Sequence, residues 1–143
     1  MKKMSREKIV MVGGVFNILH PGHIKFLEEA KKFGDKLIVI VARDTNIEPW
    51  RRIIPEDQRL AVISALKVVD KAVLGDEKDM FKIVEKIKPN VIVLGYDQKF
   101  DVKELKKELK RRCLQTEVIR IEKKFEGELY DTSKILERIK KQL

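Results

Sequence analysis

Residues 14 to 23 read Gly14-Val15-Phe16-Asn17-Ile18-Leu19-His20-Pro21-Gly22-His23. These residue types, so closely spaced, can do chemistry on an anion. Imidazole is a compact donor that can be cationic near neutral pH. His20 and His23 stand at i and i+3, so they can share one face of a helical turn. Pro21 has no N–H to leave unpaired and suits the first turn of a helix. Gly13 and Gly14 let backbone approach a ligand with no Cβ in the way. Two imidazoles at a helix N-terminus, beside free N–H groups and a positive dipole end, suit a phosphoryl group whose charge grows in a transition state. Zinc ligation and a purely structural role are the alternatives. Zinc asks for three or four ligands, whereas the chain has two histidines and one cysteine.

The elements that must position this turn are legible around it. The apolar run Lys8-Ile9-Val10-Met11-Val12 precedes it and a helical pattern from Ile24 to Phe33 follows. A strand therefore hands over to a helix where the histidines lie. Similar apolar runs recur at Lys36 to Val41, Lys71 to Leu74, Val91 to Leu94 and Glu117 to Ile121. Helical patterns fall between them at about 22–33, 56–67, 77–88 and 101–112, with a last one at 132–141. Strands alternating with helices call for a parallel sheet covered on both faces. The expected fold is α/β, one doubly wound, Rossmann-like domain over 1–143 with a five-stranded parallel sheet. In such folds ligands bind beyond the carboxyl ends of the strands, at the switch point of the topology.

That edge gathers further candidates. Arg43 and Asp44 end the second strand, and Arg51 and Arg52 follow in an irregular stretch with Pro49 and Trp50. Arginine suits bidentate phosphate contacts, and Trp50 either covers a flat ring or packs the loop down. Tyr96 and Asp97 follow the fourth strand; Asp97 can hold a ribose hydroxyl or a base amino group, and Tyr96 can stack. Thr132 or Ser133 is a natural N-cap for the last helix, whose first N–H groups can serve both a cap and a phosphate. Lys134 follows them.

Gly14-x-Phe16-Asn17-x-x-His20-x-Gly22-His23 resembles the GxFDxxHxGH signature of the nucleotidyltransferases related to glycerol-3-phosphate cytidylyltransferase. The resemblance runs roughly from residue 8 to 139. Within that superfamily Val41-Ala42-Arg43-Asp44, Ile54-Pro55-Glu56-Asp57-Gln58-Arg59, Leu94-Gly95-Tyr96-Asp97-Gln98 and Thr132-Ser133-Lys134-Ile135 look most like archaeal FAD synthases. The resemblance implies direct transfer of AMP from ATP to FMN, with a divalent cation, Mg2+, accompanying the triphosphate. It implies His20 and His23 as catalytic residues and Val15, Phe16, Gly22, Arg59, Tyr96, Asp97, Thr132 and Ser133 as further nucleotide contacts. Arg59 and the start of the last helix would grip the outgoing pyrophosphate. Gly14, Asn17, Arg43, Asp44, Arg51 and Arg52 are left for phosphate or acceptor. Two positions depart from the pattern: Val15 stands at the usual Thr and Asn17 at the usual Asp. Glu126-Gly127-Glu128 also lacks the arginine of the cytidylyltransferases, which weakens CTP and glycerol phosphate as substrates without excluding them.

Composition bounds the alternatives. The net charge of +9 invites a nucleic-acid reading. In Lys103 to Arg112, however, acids are mixed with the bases, and no aromatic residue offers a stacking platform. A basic field also attracts nucleoside triphosphates. The start Met-Lys-Lys-Met-Ser is charged with no apolar core after it, and no apolar run approaches a membrane span. The single Cys113 cannot form an internal disulfide and reads as structural, so a cytoplasmic protein is expected. Small domains of this fold often pair, and a homodimer is open. Besides the FAD synthase reading stand a cytidylyltransferase or adenylyltransferase acting on another phosphorylated small molecule, a nucleotide-binding protein without turnover, motivated by Asn17, and a basic nucleic-acid module.

Overall fold

The apolar runs become five strands in the computed structural model, which describes residues 7–143. The charged start of the chain lies outside the described residues. The strands are β1 (Ile9–Gly14), β2 (Lys36–Val41), β3 (Lys71–Leu74), β4 (Val91–Leu94) and β5 (Glu117–Arg120). All neighbours pair parallel, in the order β3-β2-β1-β4-β5. Parallel strands covered on both faces need near-continuous apolar sequence, and β4 is buried at all four residues. The helices are α1 (Pro21–Lys31), α2 (Glu56–Ser64), α3 (Phe81–Ile87), α4 (Val102–Arg111) and α5 (Thr132–Gln142).

Side-chain alternation along β1 builds the two layers. Val10 and Val12 join Leu27 and Ala30 of α1 and Ile63 of α2 in one cluster. Met11 joins Val84 of α3 and Leu105 and Leu109 of α4 in the other. Leu27 has no exposed surface, and truncating a side chain so placed to alanine costs about 2–5 kcal/mol. α5 buries none of its residues. Among the described residues no helix is long and apolar enough to cross a membrane.

Some departures from expectation have identifiable reasons. β1 runs two residues further, because Gly13 and Gly14 stay in register with Ile40 and Val41. α3 begins at Phe81 instead of 77, because side chains capture the preceding N–H groups. Asp76 accepts from Lys78 and Asp79, and Asp79 accepts from Phe81, a turn chemistry that competes with helix. The irregular stretch after β2 contains two 3-10 turns, Asp44–Asn46 and Pro49–Arg51.

With β2 on one side of β1 and β4 on the other, the direction of winding reverses between β1 and β4. Their carboxyl ends open the crevice where α/β sheets hold ligands.

Candidate active site

The turn between β1 and α1 is locked by its own histidines. His20 is the N-cap of α1, in extended backbone conformation, and its Nδ1 accepts the Gly22 N–H at 3.1 Å. His23 Nδ1 accepts the His20 N–H at 3.2 Å. Together they form a reciprocal capping box built from two imidazoles. A ring nitrogen that accepts an N–H carries no proton, so each neutral ring bears its proton on Nε2. The ring centroids are 3.8 Å apart with planes tilted by 31°. The turn thus presents two neighbouring Nε2–H donors directed away from the backbone that both Nδ1 atoms engage.

Burial holds these rings neutral. It pushes His23 down to about 4, with the neighbouring His20 adding to the effect. Burial also lowers His20, opposed by the Asp131 carboxylate. The free site therefore carries neutral donors at neutral pH, where composition alone had allowed cationic imidazoles. Protonating either Nδ1 would set one N–H against another.

Glycine is required twice here. At Gly22 a Cβ would lie 2.6 Å from the Tyr130 carbonyl oxygen and 2.8 Å from the His20 ring. At Gly14 it would lie 2.8 Å from the Phe16 ring. Phe16 takes a left-handed φ of 55° and folds its ring back over Gly14, a conformation costly for a bulky residue. That ring is buried and sits 5.4 Å from the His23 ring. The Phe16 ring fills the space that a Gly14 Cβ would take, and it packs beside the His23 ring.

Arg59 differs most from expectation. It is 1% exposed, and its guanidinium is committed on three sides. Nε donates to the Ile54 carbonyl at 2.8 Å, one terminal nitrogen to the Val15 carbonyl at 2.8 Å, and the other to Asp44 at 2.7 Å. Arg59 therefore ties the Val15 carbonyl of the turn to Ile54 and Asp44. Its guanidinium beside Asp44 holds that carboxyl below the usual range.

Arg43 and Asp44 are spent in the same frame. Arg43 donates to the Gly75 carbonyl and to Glu56. Asp44 accepts the Glu56 N–H, while Glu56 accepts the Asp44 N–H. Arg52 Nε donates to the Ile47 carbonyl at 2.8 Å. Asn17 joins this loop to the histidine turn: Nδ2 donates to the Arg51 carbonyl at 2.7 Å and Oδ1 accepts the Ile54 N–H at 3.3 Å. Arg51 itself stays exposed.

Across the crevice, Tyr96 and Asp97 are exposed on the loop after β4. Their loop is pinned by two residues that motif reading passed over. Gln98 accepts the Gly95 N–H and donates to the Gly13 carbonyl of β1 at 2.9 Å. Arg120 donates to the carbonyls of Gly95, Gln98 and Phe100. Gln98 followed a strand in a quoted motif; Arg120 lay inside a strand, where nothing in the sequence marks it.

The last helix is capped by Asp131, whose carboxylate accepts the Ser133 N–H at 2.8 Å. This corrects the expectation of Thr132 or Ser133 as N-cap. Thr132 opens α5 two residues after Tyr130, whose carbonyl lies against Gly22 in the first turn of α1. Among the described residues no three His, Cys, Asp or Glu side chains gather as a metal cage. Asn17, at the family's Asp, has both polar atoms engaged.

A doubly wound sheet with paired imidazoles capping the helix after β1 defines a nucleotidyltransferase-type site, and comparison with known proteins agrees. The chain belongs to the cytidylyltransferase-like family, whose model matches residues 11–138. It is similar to a protein named FAD synthase from Archaeoglobus profundus, 57% identical over 131 residues, covering 91% of this chain and 84% of that one. An FAD synthase of Methanothermobacter thermautotrophicus is 53% identical over 138 residues, covering 93% and 91%. Among solved structures, one described as a lipopolysaccharide core biosynthesis protein from Thermoplasma volcanium superposes with a TM-score of 0.80. It is 48% identical and covers 85% of this chain and all of its own.

Proposed function

We infer that this chain is an FAD synthase that transfers the AMP moiety of ATP to FMN. An FMN phosphate oxygen attacks the α-phosphorus of ATP. The new P–O bond forms as the bond to the β-phosphate oxygen breaks, and pyrophosphate leaves with the electron pair. A phosphomonoester is ionised near neutral pH, so the attack needs no general base. Catalysis reduces to positioning and charge stabilisation.

The observation that carries this reading is the His20–His23 pair, two fixed Nε2–H donors at the switch point of a chain 57% identical to a protein named FAD synthase. In this reading both donors meet the non-bridging oxygens of the α-phosphoryl group as its charge grows. Tyr96 and Asp97 take the adenosine side, and Thr132 and Ser133 the pyrophosphate end. Arg59, Phe16 and Asn17 act through the turn they support. Mg2+ enters with ATP as part of the substrate, held by its phosphates. In this reading the reaction takes place in the cytoplasm, in keeping with a single cysteine that forms no internal disulfide.

Asn17 no longer motivates a binding protein without turnover, because its amide has a task in the loop that a carboxylate would not perform. The test is to incubate the protein with FMN, Mg2+ and either ATP or CTP and to measure flavins and pyrophosphate. FAD and pyrophosphate in equal amounts with ATP, both lost in His23→Ala, support the reading. No product with either nucleotide overturns it.

A further inference from the structure

The residues placed so far leave the flavin ring of FMN without a seat. His20 and His23 address phosphate, and Tyr96 and Asp97 lie on the β4 side of the crevice. FMN carries its ring at the far end of a ribityl chain, so the ring must dock away from the reacting phosphorus.

The opposite wall, after β2, displays the chain's single tryptophan. Trp50 is 75% exposed, the most exposed aromatic side chain among the described residues. This large aromatic face stands uncovered, and it stands on a fixed frame. Asn17 holds the carbonyl of the adjacent Arg51 and the N–H of Ile54. Arg52 holds the Ile47 carbonyl, and the Ile47 side chain is buried. The Arg59 guanidinium then ties Ile54 to Val15 in the histidine turn. Asn17 and His20 are three residues apart, a chain span of at most about 11 Å. The indole is thus displayed by a loop stitched to the same turn that presents the catalytic donors.

The neighbours suit a planar, polar-edged ring. The Arg51 guanidinium carbon lies 5.9 Å from the Trp50 ring centroid, and Ile53, three residues after Trp50, is 48% exposed. A rigid aromatic face stacks on a flat heterocycle without ordering a loop at the moment of binding.

We propose that Trp50 is the stacking platform for the isoalloxazine ring of FMN, with Asn17 the positioning residue that holds the platform against the histidine turn. This rests on the FAD synthase reading. Stacking of a heterocycle on an aromatic side chain sets the expected scale. Trp50→Ala raises both the Kd and the KM for FMN roughly tenfold or more, and Trp50→Phe restores most of the loss. The KM for ATP stays within about twofold, since a ring platform makes no contact with the nucleotide.

The experiment combines those kinetics with the fluorescence of FMN itself, which contact with an indole quenches. Wild type should quench bound FMN strongly, and Trp50→Ala should not at matched occupancy. An unchanged KM for FMN and unchanged quenching in Trp50→Ala overturn the platform, even if wild type makes FAD. Indole-dependent FMN binding without FAD formation leaves the platform standing and overturns the enzyme reading instead. A wild type that neither binds FMN nor makes FAD overturns both.

Discussion

His23 Nδ1 accepts the backbone N–H of His20, three residues before it, at 3.2 Å, while His20 Nδ1 accepts the Gly22 N–H at 3.1 Å. One geometry thereby caps α1, fixes both tautomers and aims both Nε2–H groups outward. Because these are the chain's two histidines, nitrogen NMR reads them without ambiguity. Both should appear as the Nε2–H tautomer at pH 7, with His23 titrating near 4 in the free protein. The folded value lies below the ordinary 6.5, so the unfolded chain binds the proton more tightly. Stability from this group is complete above about pH 6.5 and is lost as pH falls toward 4. Melting temperature followed over that range should drop on acidification in wild type, and less in His23→Gln.

Gly22→Ala should disable the enzyme without unfolding it. Its Cβ would lie 2.6 Å from the Tyr130 carbonyl and 2.8 Å from the His20 ring, so the ring or the loop must move. A displacement of about 1 Å at a catalytic donor costs on the order of 100-fold in rate. Steady-state kcat, with circular dichroism as the folding check, measures it.

Arg59→Met should destabilise the protein as well as slow it. The carbonyls of Val15 and Ile54 lose their donors together, and each buried polar group left unpaired costs about 1–3 kcal/mol. Arg59→Lys should recover little, because an ammonium cannot reproduce the planar fork that serves three acceptors. Urea denaturation of both variants gives the comparison. An arginine acting only on pyrophosphate would leave the urea midpoint unchanged.

Asn17→Asp restores the residue usual in the resembled family and should nevertheless impair this chain. The carboxylate loses the donor to the Arg51 carbonyl and faces that oxygen with a charge. Loss of one such bond costs about 1 kcal/mol and should loosen the loop that carries Arg51 and Arg52. Limited trypsin digestion should cut after those arginines faster in the variant, with a several-fold higher KM for FMN.

The sheet was legible because its strands are near-continuous apolar runs: Val91 to Leu94 or Lys36 to Val41 can scarcely be read otherwise. The histidine turn was legible because glycine, proline and histidine at fixed spacing leave few structural roles. Arg59 was legible as important but not as buried. Its partners Val15, Asp44 and Ile54 come from three separate segments, and two of them contribute only backbone carbonyls, which no sequence pattern marks. The N-cap of α5 was missed by one residue, since Asp131, Thr132 and Ser133 are all good caps and the path of the loop through Tyr130 chooses among them. Gln98 and Arg120 were invisible as loop supports for the same reason as Arg59: both bind carbonyls distant in sequence.

The central claim is a single direct displacement at the α-phosphorus of ATP, stabilised by the His20–His23 donors. It is tested most directly by supplying FMN with ATP bearing one sulfur of known configuration at the α-phosphate and determining the configuration in the flavin product. The product should be FAD with inverted configuration, with no exchange of labelled pyrophosphate into ATP when FMN is absent. Retained configuration, exchange without FMN, or no flavin dinucleotide from ATP would contradict it.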